Sequence, residues 1–299
     1  MVQVHRTPDE RFSPVAPVGA ELAYSEVEVD GTPLRLAHVA YGPADGPTVV
    51  LLHGEPTSSH LWRDVLPPLG EAGLRAVAPD LVGFGRSDKP TDLDWYTPER
   101  LAASLEAHLD AIAPGRVSLV VHDWGGVLGL PWAVEHPDRV HRLVITDTGL
   151  YSPGARMSEA WQAFRDFVAG TEELPIGFLV SEGTVRGLSE QEQAAYAAPF
   201  PDAASQAGAR ALPLLVPRAD HDPGAQRSRR ARQALTGWET PTLVLWGSED
   251  RILSPRVGQR FADDIPGCVG FELIEGAGHF LQEDAGPQIG RRIAEFVVE

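Results

Sequence analysis

Six short aliphatic runs alternate with longer stretches of helical spacing, and this alternation constrains the chain more than any other feature. The runs cover residues 48–52, 75–78, 117–121, 142–146, 242–246 and 271–274. The helical stretches cover 61–72, 98–112, 126–135, 256–264 and 288–297. Strands of four or five residues joined through helices can pair only by crossover, which predicts a mostly parallel sheet covered on both faces. Before the first run, residues 26–41 alternate apolar and polar about Asp30-Gly31, the pattern of a hairpin. The alternation breaks once. Residues 149–222 carry helical pieces at 158–168 and 190–196, Pro-rich joints and no clear strand, too much chain for a connection inside a compact sheet. The expected organisation is an α/β main domain from 1–148 and 223–299, with 149–222 as an inserted helical cap.

Composition matters chiefly for what it excludes. With 43% hydrophobic residues the chain has material for a large core and is not disordered. A formal net charge of −17 repels phosphate backbones and anionic lipid, so neither nucleic acid nor a membrane surface is an expected partner. The one basic run, Arg227, Arg229, Arg230 and Arg232, reads as a solvated helix face. Cys268 is the only cysteine and no apolar stretch reaches membrane-spanning length, so the expectation is a soluble, cytoplasmic protein.

The chemistry concentrates where runs end. The third run ends in His122-Asp123-Trp124-Gly125-Gly126, a strand, a turn of small residues and a helix start. Asp123 there could simply cap the helix. The alternative is a nucleophile exposed on a sharp turn, with the helix N-terminus aimed at developing negative charge. That arrangement resembles the nucleophile elbow of the α/β-hydrolases, with Asp in the place usually held by Ser. It requires a late histidine and an acid. Gly276-Ala277-Gly278-His279 follows the last run, and Asp250 follows the fifth, so Asp123, Asp250 and His279 stand in the order nucleophile, acid, base. Asp147, after the fourth run, is a rival acid, and Glu249 a weaker one. Among the other histidines, His53 and His122 are expected to make structural hydrogen bonds. His5, His60, His108, His136, His141 and His221 are expected at the surface. Oxyanion donors are expected from the backbone N–H groups of Glu55, in His53-Gly54-Glu55-Pro56, and of Trp124.

These residues together resemble the haloalkane dehalogenase family over nearly the whole length. The resemblance runs through Arg6-Thr7-Pro8-Asp9-Glu10-Arg11-Phe12, His53-Gly54-Glu55-Pro56, the stretch from Pro79 to Pro90, the His122–Gly126 elbow, the segment from Tyr196 to Asp202, and Gly278-His279-Phe280. It implies an α/β-hydrolase fold, a mostly parallel sheet flanked by helices with an inserted helical cap. It also implies hydrolytic cleavage of carbon–halogen bonds through an aspartyl-alkyl ester. Substrate, water and halide are then the only partners, with no metal or organic cofactor and a monomer or weak homo-oligomer. A carboxylate suits this chemistry, being a competent nucleophile at sp³ carbon.

In the family the departing halide is often held by two Trp indoles. Trp124 supplies the first. Phe164 stands where relatives carry the second, and it has no N–H. Trp161, three residues earlier on roughly the same helix face, is the candidate substitute, or else packs the cap onto the main domain. Epoxide hydrolase is the alternative activity and needs a cap acid such as Tyr151 or Tyr196. A weakly active ligand-binding protein on the same scaffold is the alternative of a different class.

Overall fold

The computed structural model describes residues 2–12, 17–152, 154 and 157–299. Pro153, Ala155 and Arg156, in the stretch expected to be a cap, lie outside the described residues. In chain order the elements are β1 (Val4–His5), β2 (Glu21–Val29), β3 (Thr32–Tyr41), β4 (Thr48–Leu52), α1 (Leu66–Glu71), β5 (Arg75–Pro79), β6 (Lys89–Pro90), α2 (Pro98–Ile112), β7 (Val117–His122), α3 (Trp124–Glu135) and β8 (Val140–Thr146). Then come α4 (Glu159–Gly170), α5 (Ile176–Glu182), α6 (Glu190–Ala197), α7 (Ala207–Leu215), α8 (Ala225–Leu235), β9 (Thr242–Gly247), α9 (Pro255–Asp264), β10 (Cys268–Ile274) and α10 (Leu281–Val298).

The main sheet has eight strands in the order β10-β9-β8-β7-β4-β5-β3-β2. The six from β10 to β5 are parallel, and β3 and β2 add antiparallel. All six aliphatic runs are strands of this sheet. Their side chains point to opposite faces in turn, so the sheet feeds two apolar layers. Val50, Leu52, Leu119, Val121 and Ile145 belong to one, and Val49, Leu51, Val120 and Val144 to the other. The hairpin turns at Asp30-Gly31, both at positive φ (48° and 74°), the conformation a tight two-residue loop demands. After β5 the chain returns to the far side of β4 to lay down β7. The carboxyl edge at β4 and β7 is therefore a topological switch point, where α/β sheets leave a crevice.

Between β8 and β9 the described residues contain no strand and five helices, α4 to α8. Two of these, α5 and α7, carry no clear sequence signal. The first is short, and the second holds Pro213 inside. A cluster of charges ties this region to the main domain. Glu283 of α10, its side chain wholly buried, accepts from Arg63, Arg186 and the Tyr196 hydroxyl of α6. The last helix begins at Leu281, earlier than its expected start at 288, because Pro287 is accommodated beyond a kink at Ala285.

The arginine run lies on α8, where Arg227, Arg229 and Arg232 pair with Glu135, Asp220 and Asp264. His108 corrects an expectation. It is buried at 2% exposure, edge-on to His38 with ring centroids 5.8 Å apart, instead of facing solvent. Among the described residues no helix is long and apolar enough to cross a membrane.

Candidate active site

The elbow follows from the crossing of β7 into α3. Asp123 has φ 47° and ψ −121°, a conformation a non-glycine residue adopts only when its surroundings impose it. Its carbonyl accepts from the N–H groups of Gly126 (2.8 Å) and Val127 (3.1 Å) and from Thr148 Oγ1 (2.6 Å), and its own N–H donates to the Asp147 carbonyl (3.2 Å). Neighbouring backbone comes so close that side chains are excluded around it. A Cβ on Gly54 would lie 2.2 Å from Asp123 Oδ1, and one on Gly125 would lie 2.3 Å from the Leu52 carbonyl.

The two carboxylate oxygens of Asp123 meet different surroundings. Oδ1 accepts the backbone N–H of Glu55 at 2.9 Å, and the carboxylate also accepts the backbone N–H of Trp124. Oδ2 lies 3.8 Å from His279 Nε2. Burial pushes the Asp123 carboxyl above its usual range, and His279 and the two N–H donors pull against that push.

His279 follows the turn at Gly276 (φ 71°). Its Nδ1 donates to Asp250 Oδ2 at 2.9 Å, which leaves Nε2 facing Asp123. His122 Nε2 donates to the His279 carbonyl at 2.8 Å and fixes that backbone. His53 donates from Nδ1 to the Gly54 carbonyl and accepts the Leu81 N–H at Nε2, which holds the loop after β4. Burial lowers the pKa of His279, but the charge and hydrogen bond of Asp250 outweigh it and the net direction is upward. Asp250 Oδ1 accepts the N–H groups of Ile252 (2.7 Å) and Leu253 (2.9 Å). Burial works against its charge, but His279 and a hydrogen bond from Asp147 hold the Asp250 carboxyl below its usual range.

Asp123, Asp250 and His279, far apart in the chain, thus meet at one edge of the sheet, with His279 hydrogen-bonded to Asp250 and 3.8 Å from Asp123. Asp147 does not contact His279 as its partner but sits behind Asp250. It is fully buried at positive φ (31°), and the Gly247 N–H donates to both its oxygens. Glu249 is exposed, its backbone N–H on the Ala277 carbonyl. Asp147, Asp250 and His279 are the described group whose ligand atoms lie close enough to grip a metal, within 4.8 Å of one another. Both Asp147 oxygens accept the Gly247 N–H, Asp250 Oδ1 accepts those of Ile252 and Leu253, and Asp250 Oδ2 pairs with His279 Nδ1, so these atoms already have partners.

A cavity of about 1690 Å³ opens over this edge, walled by Asp123, Glu55, Trp124, Trp161, Phe164 and His279 among others. The fate of each indole N–H identifies donors that the sequence left open. Those of Trp246 and Trp95 are bonded to the Leu253 carbonyl and to Thr32, and those of Trp62, Trp132 and Trp238 are sealed inside without partners. Trp124 and Trp161 both line the cavity, and among the described residues neither N–H has a partner or is sealed off. Phe164, one turn from Trp161 on α4, offers only a ring edge. Glu55, read from the sequence only for its backbone, also brings a buried carboxyl. Burial and the Asp123 charge push it well above the usual range, and Oε1 has no partner among the described residues. Neither tyrosine is placed as an acid over Asp123. The Tyr196 hydroxyl is consumed by Glu283, and that of Tyr151 bonds Asp220 at 3.1 Å.

Comparison with known proteins agrees with this geometry. Residues 47–286 match the family model of the α/β hydrolase fold. A haloalkane dehalogenase of Mycolicibacterium paratuberculosis is 43% identical over 294 residues, covering 98% of this chain and 97% of that one. One from Psychrobacter cryohalolentis is 35% identical over 99% of this chain and 98% of its own. Among solved structures, the tetrameric haloalkane dehalogenase DpaA from Paraglaciecola agarilytica superposes with a TM-score of 0.89 at 32% identity, covering 97% of both chains. DbeA from Bradyrhizobium elkani gives 0.79 at 29% identity, with 93% of this chain and 98% of that one covered.

Proposed function

The chain belongs to the haloalkane dehalogenase family and is a hydrolase acting on carbon–halide bonds, and from that premise we propose that Asp123 carries the reaction as a covalent nucleophile. Oδ2, facing the cavity and His279, attacks the halogen-bearing carbon, and the carbon–halogen bond breaks with its electron pair on the halide. The indole N–H groups of Trp124 and Trp161 receive the halide, and Phe164 supplies apolar wall. In the ester the carbonyl oxygen is Oδ1, which already accepts the Glu55 N–H, and the Trp124 N–H donates to the same carboxylate. His279 Nε2 takes a proton from water, the hydroxide adds to the Asp123 carboxyl carbon, and the charge gathers on Oδ1 between those donors. The tetrahedral species collapses, the alcohol leaves with Oδ2, and His279 returns the proton. Asp250 holds the imidazole tautomer and balances the imidazolium.

The observation that carries this reading is the division of labour on one carboxylate, one oxygen on the Glu55 N–H and the other 3.8 Å from His279 Nε2. Residues 149–222 act in it as the cap that closes the cavity. No partner beyond haloalkane, water and halide is invoked; a single cysteine, which allows no intrachain disulfide, suits a reducing cytoplasm, and the assembly proposed is a monomer or weak homo-oligomer. Epoxide hydrolysis is disfavoured because neither Tyr151 nor Tyr196 has a free hydroxyl over the nucleophile.

The test is intact-protein mass spectrometry of a His279→Phe variant after exposure to a short 1-bromoalkane. The expected result is a stable mass gain of one alkyl group, mapped to Asp123. A mass unchanged while bromide is released would remove the covalent step.

A further inference from the structure

The sequence sets Asp147 and Asp250 as rivals for one role, and the structure makes them neighbours instead. The register pairs His122 of β7 with Thr146 of β8, so the residues that follow, Asp123 and Asp147, emerge side by side, both at positive φ. The β8–β9 pairing then brings Asp147 beneath the loop that carries Asp250. Oxygens of the two carboxyl groups lie within 4.8 Å of each other, both residues are buried, and each acts on the ionisation of the other. Two buried carboxyl groups this close do not readily both ionise, and the surroundings decide which one carries the proton. Asp250 faces His279 and two backbone N–H groups, which favour its charge. Asp147 faces a single N–H, that of Gly247, and lies near the charges of Asp250 and Asp123. Among the described residues the other titratable imidazole at this cluster is His122, whose ring centroid lies 5.0 Å from that of His279 and whose burial holds its pKa down to about 3.

We propose that Asp147 is a positioning residue of the dehalogenase reaction, a neutral carboxylic acid that donates its proton to Asp250 and so holds that carboxylate against His279. The proposal rests on the assignment of Asp250 as the partner of His279. Burial and the two neighbouring carboxylates push the Asp147 carboxyl well above its usual range, the direction that favours its protonated form. The Gly247 N–H bonds that anchor Asp147 belong to the last residue of β9, so strand, acid and base are locked to one frame. Removing the donor leaves the Asp250 charge less shared. His279 then holds its proton more tightly, and the orientation of the pair loosens.

The test compares the full chain with Asp147→Asn, Asp147→Ala and Asp250→Asn. Hydrolysis of the alkyl-enzyme is followed by rapid quench across pH, and infrared difference spectra are taken against the parent. Asparagine keeps an N–H donor and tolerates positive φ. Asp147→Asn is expected to hydrolyse the ester within about threefold of the parent with the same acid limb, since the hydrogen bond survives. Its spectrum should lack one protonated-carboxyl C=O band that the parent shows at neutral pH. Asp147→Ala is expected to slow hydrolysis roughly tenfold or more and to move the acid limb to higher pH. Two results overturn the proposal while Asp250 keeps its role: no carboxyl band missing from Asp147→Asn, or an Asp147→Ala that matches Asp147→Asn in rate and acid limb. If Asp147→Ala does not fold, the infrared comparison on Asp147→Asn decides alone. A mild Asp250→Asn beside a crippling Asp147→Asn is a separate failure, overturning the assignment of Asp250 itself.

Discussion

Trp161→Phe isolates one hydrogen bond. The indole is 7% exposed and lines the cavity, and its N–H has no protein partner among the described residues. Phenylalanine keeps an aromatic ring on the same helix face, so what is lost is the N–H and a ring edge that already borders open space. A hydrogen bond to a charged group contributes about 1.5–3 kcal/mol. Each 1.36 kcal/mol is tenfold in rate, so displacement of halide should slow by roughly 10-fold to 150-fold. Chloride, the poorer leaving group, depends most on that help and should sit at the upper end, with bromide and iodide at the lower. Trp124 keeps its own N–H and sets the residual rate. The companion change Phe164→Trp adds a donor one turn away and should recover much of the loss in the double variant. The assay is the pre-steady-state burst of halide from matched 1-chloro- and 1-bromoalkanes. A Trp161→Phe variant that stays within about twofold of the parent on the chloroalkane would refute the argument, because a real hydrogen bond to a forming halide is worth more than that. The parent itself should prefer bromo- and iodoalkanes over chloroalkanes.

Other expectations follow from the same geometry. Asp123→Ala should abolish halide release while leaving the circular dichroism melt cooperative, since the side chain faces the cavity; activity retained at even a few per cent of the parent would remove it as nucleophile. The hydrolytic step should fall as pH drops through the His279 pKa, because only neutral imidazole accepts the proton from water. Asp250 raises that pKa, so Asp250→Asn should shift the acid limb to lower pH and slow hydrolysis more than alkylation; an unmoved limb would refute the coupling. Glu283→Ala leaves Arg63 and Arg186 without their shared buried partner. Breaking such a pair costs about 3–5 kcal/mol, with the low end apt because Arg186 is partly solvated, so melting should fall by roughly 5–10 °C. A drop below about 2 °C would show that the cluster contributes little to holding the inserted helices.

Much of this was legible in the chain because two codes were strong. Short aliphatic runs separated by helical stretches fixed which segments are strands, since a parallel pair leaves few other ways to bury both faces. The residues just after those strands must then gather at one edge, which is why Asp123, Asp250 and His279 could be named before their distances were known. The relation between Asp147 and Asp250 was not legible. Both follow strands, and spacing along the chain does not say whether two such residues compete or touch; strand register does. The helices α5 and α7 escaped for a different reason. Each is short, and Pro213 in α7 reads as a break, yet tertiary packing holds both against the apolar layer. His108 was misplaced because one polar residue on an amphipathic helix says little about which way it turns, and its partner His38 comes from the distant hairpin.

The crowding of Gly54 and Gly125 beneath the nucleophile makes this enzyme unequal in what it can vary. At Gly54 and Gly125 an added methyl group collides with the Asp123 side chain or with the Leu52 carbonyl, so these two positions leave no room for a side chain. Above the reacting carboxylate, α4 meets the cavity with side chains alone, and exchanging one alters shape and donor count without disturbing the elbow. Diversification of substrate taste in a lineage built this way runs through the roof of the cavity, and a library aimed at its floor returns mostly inactive protein.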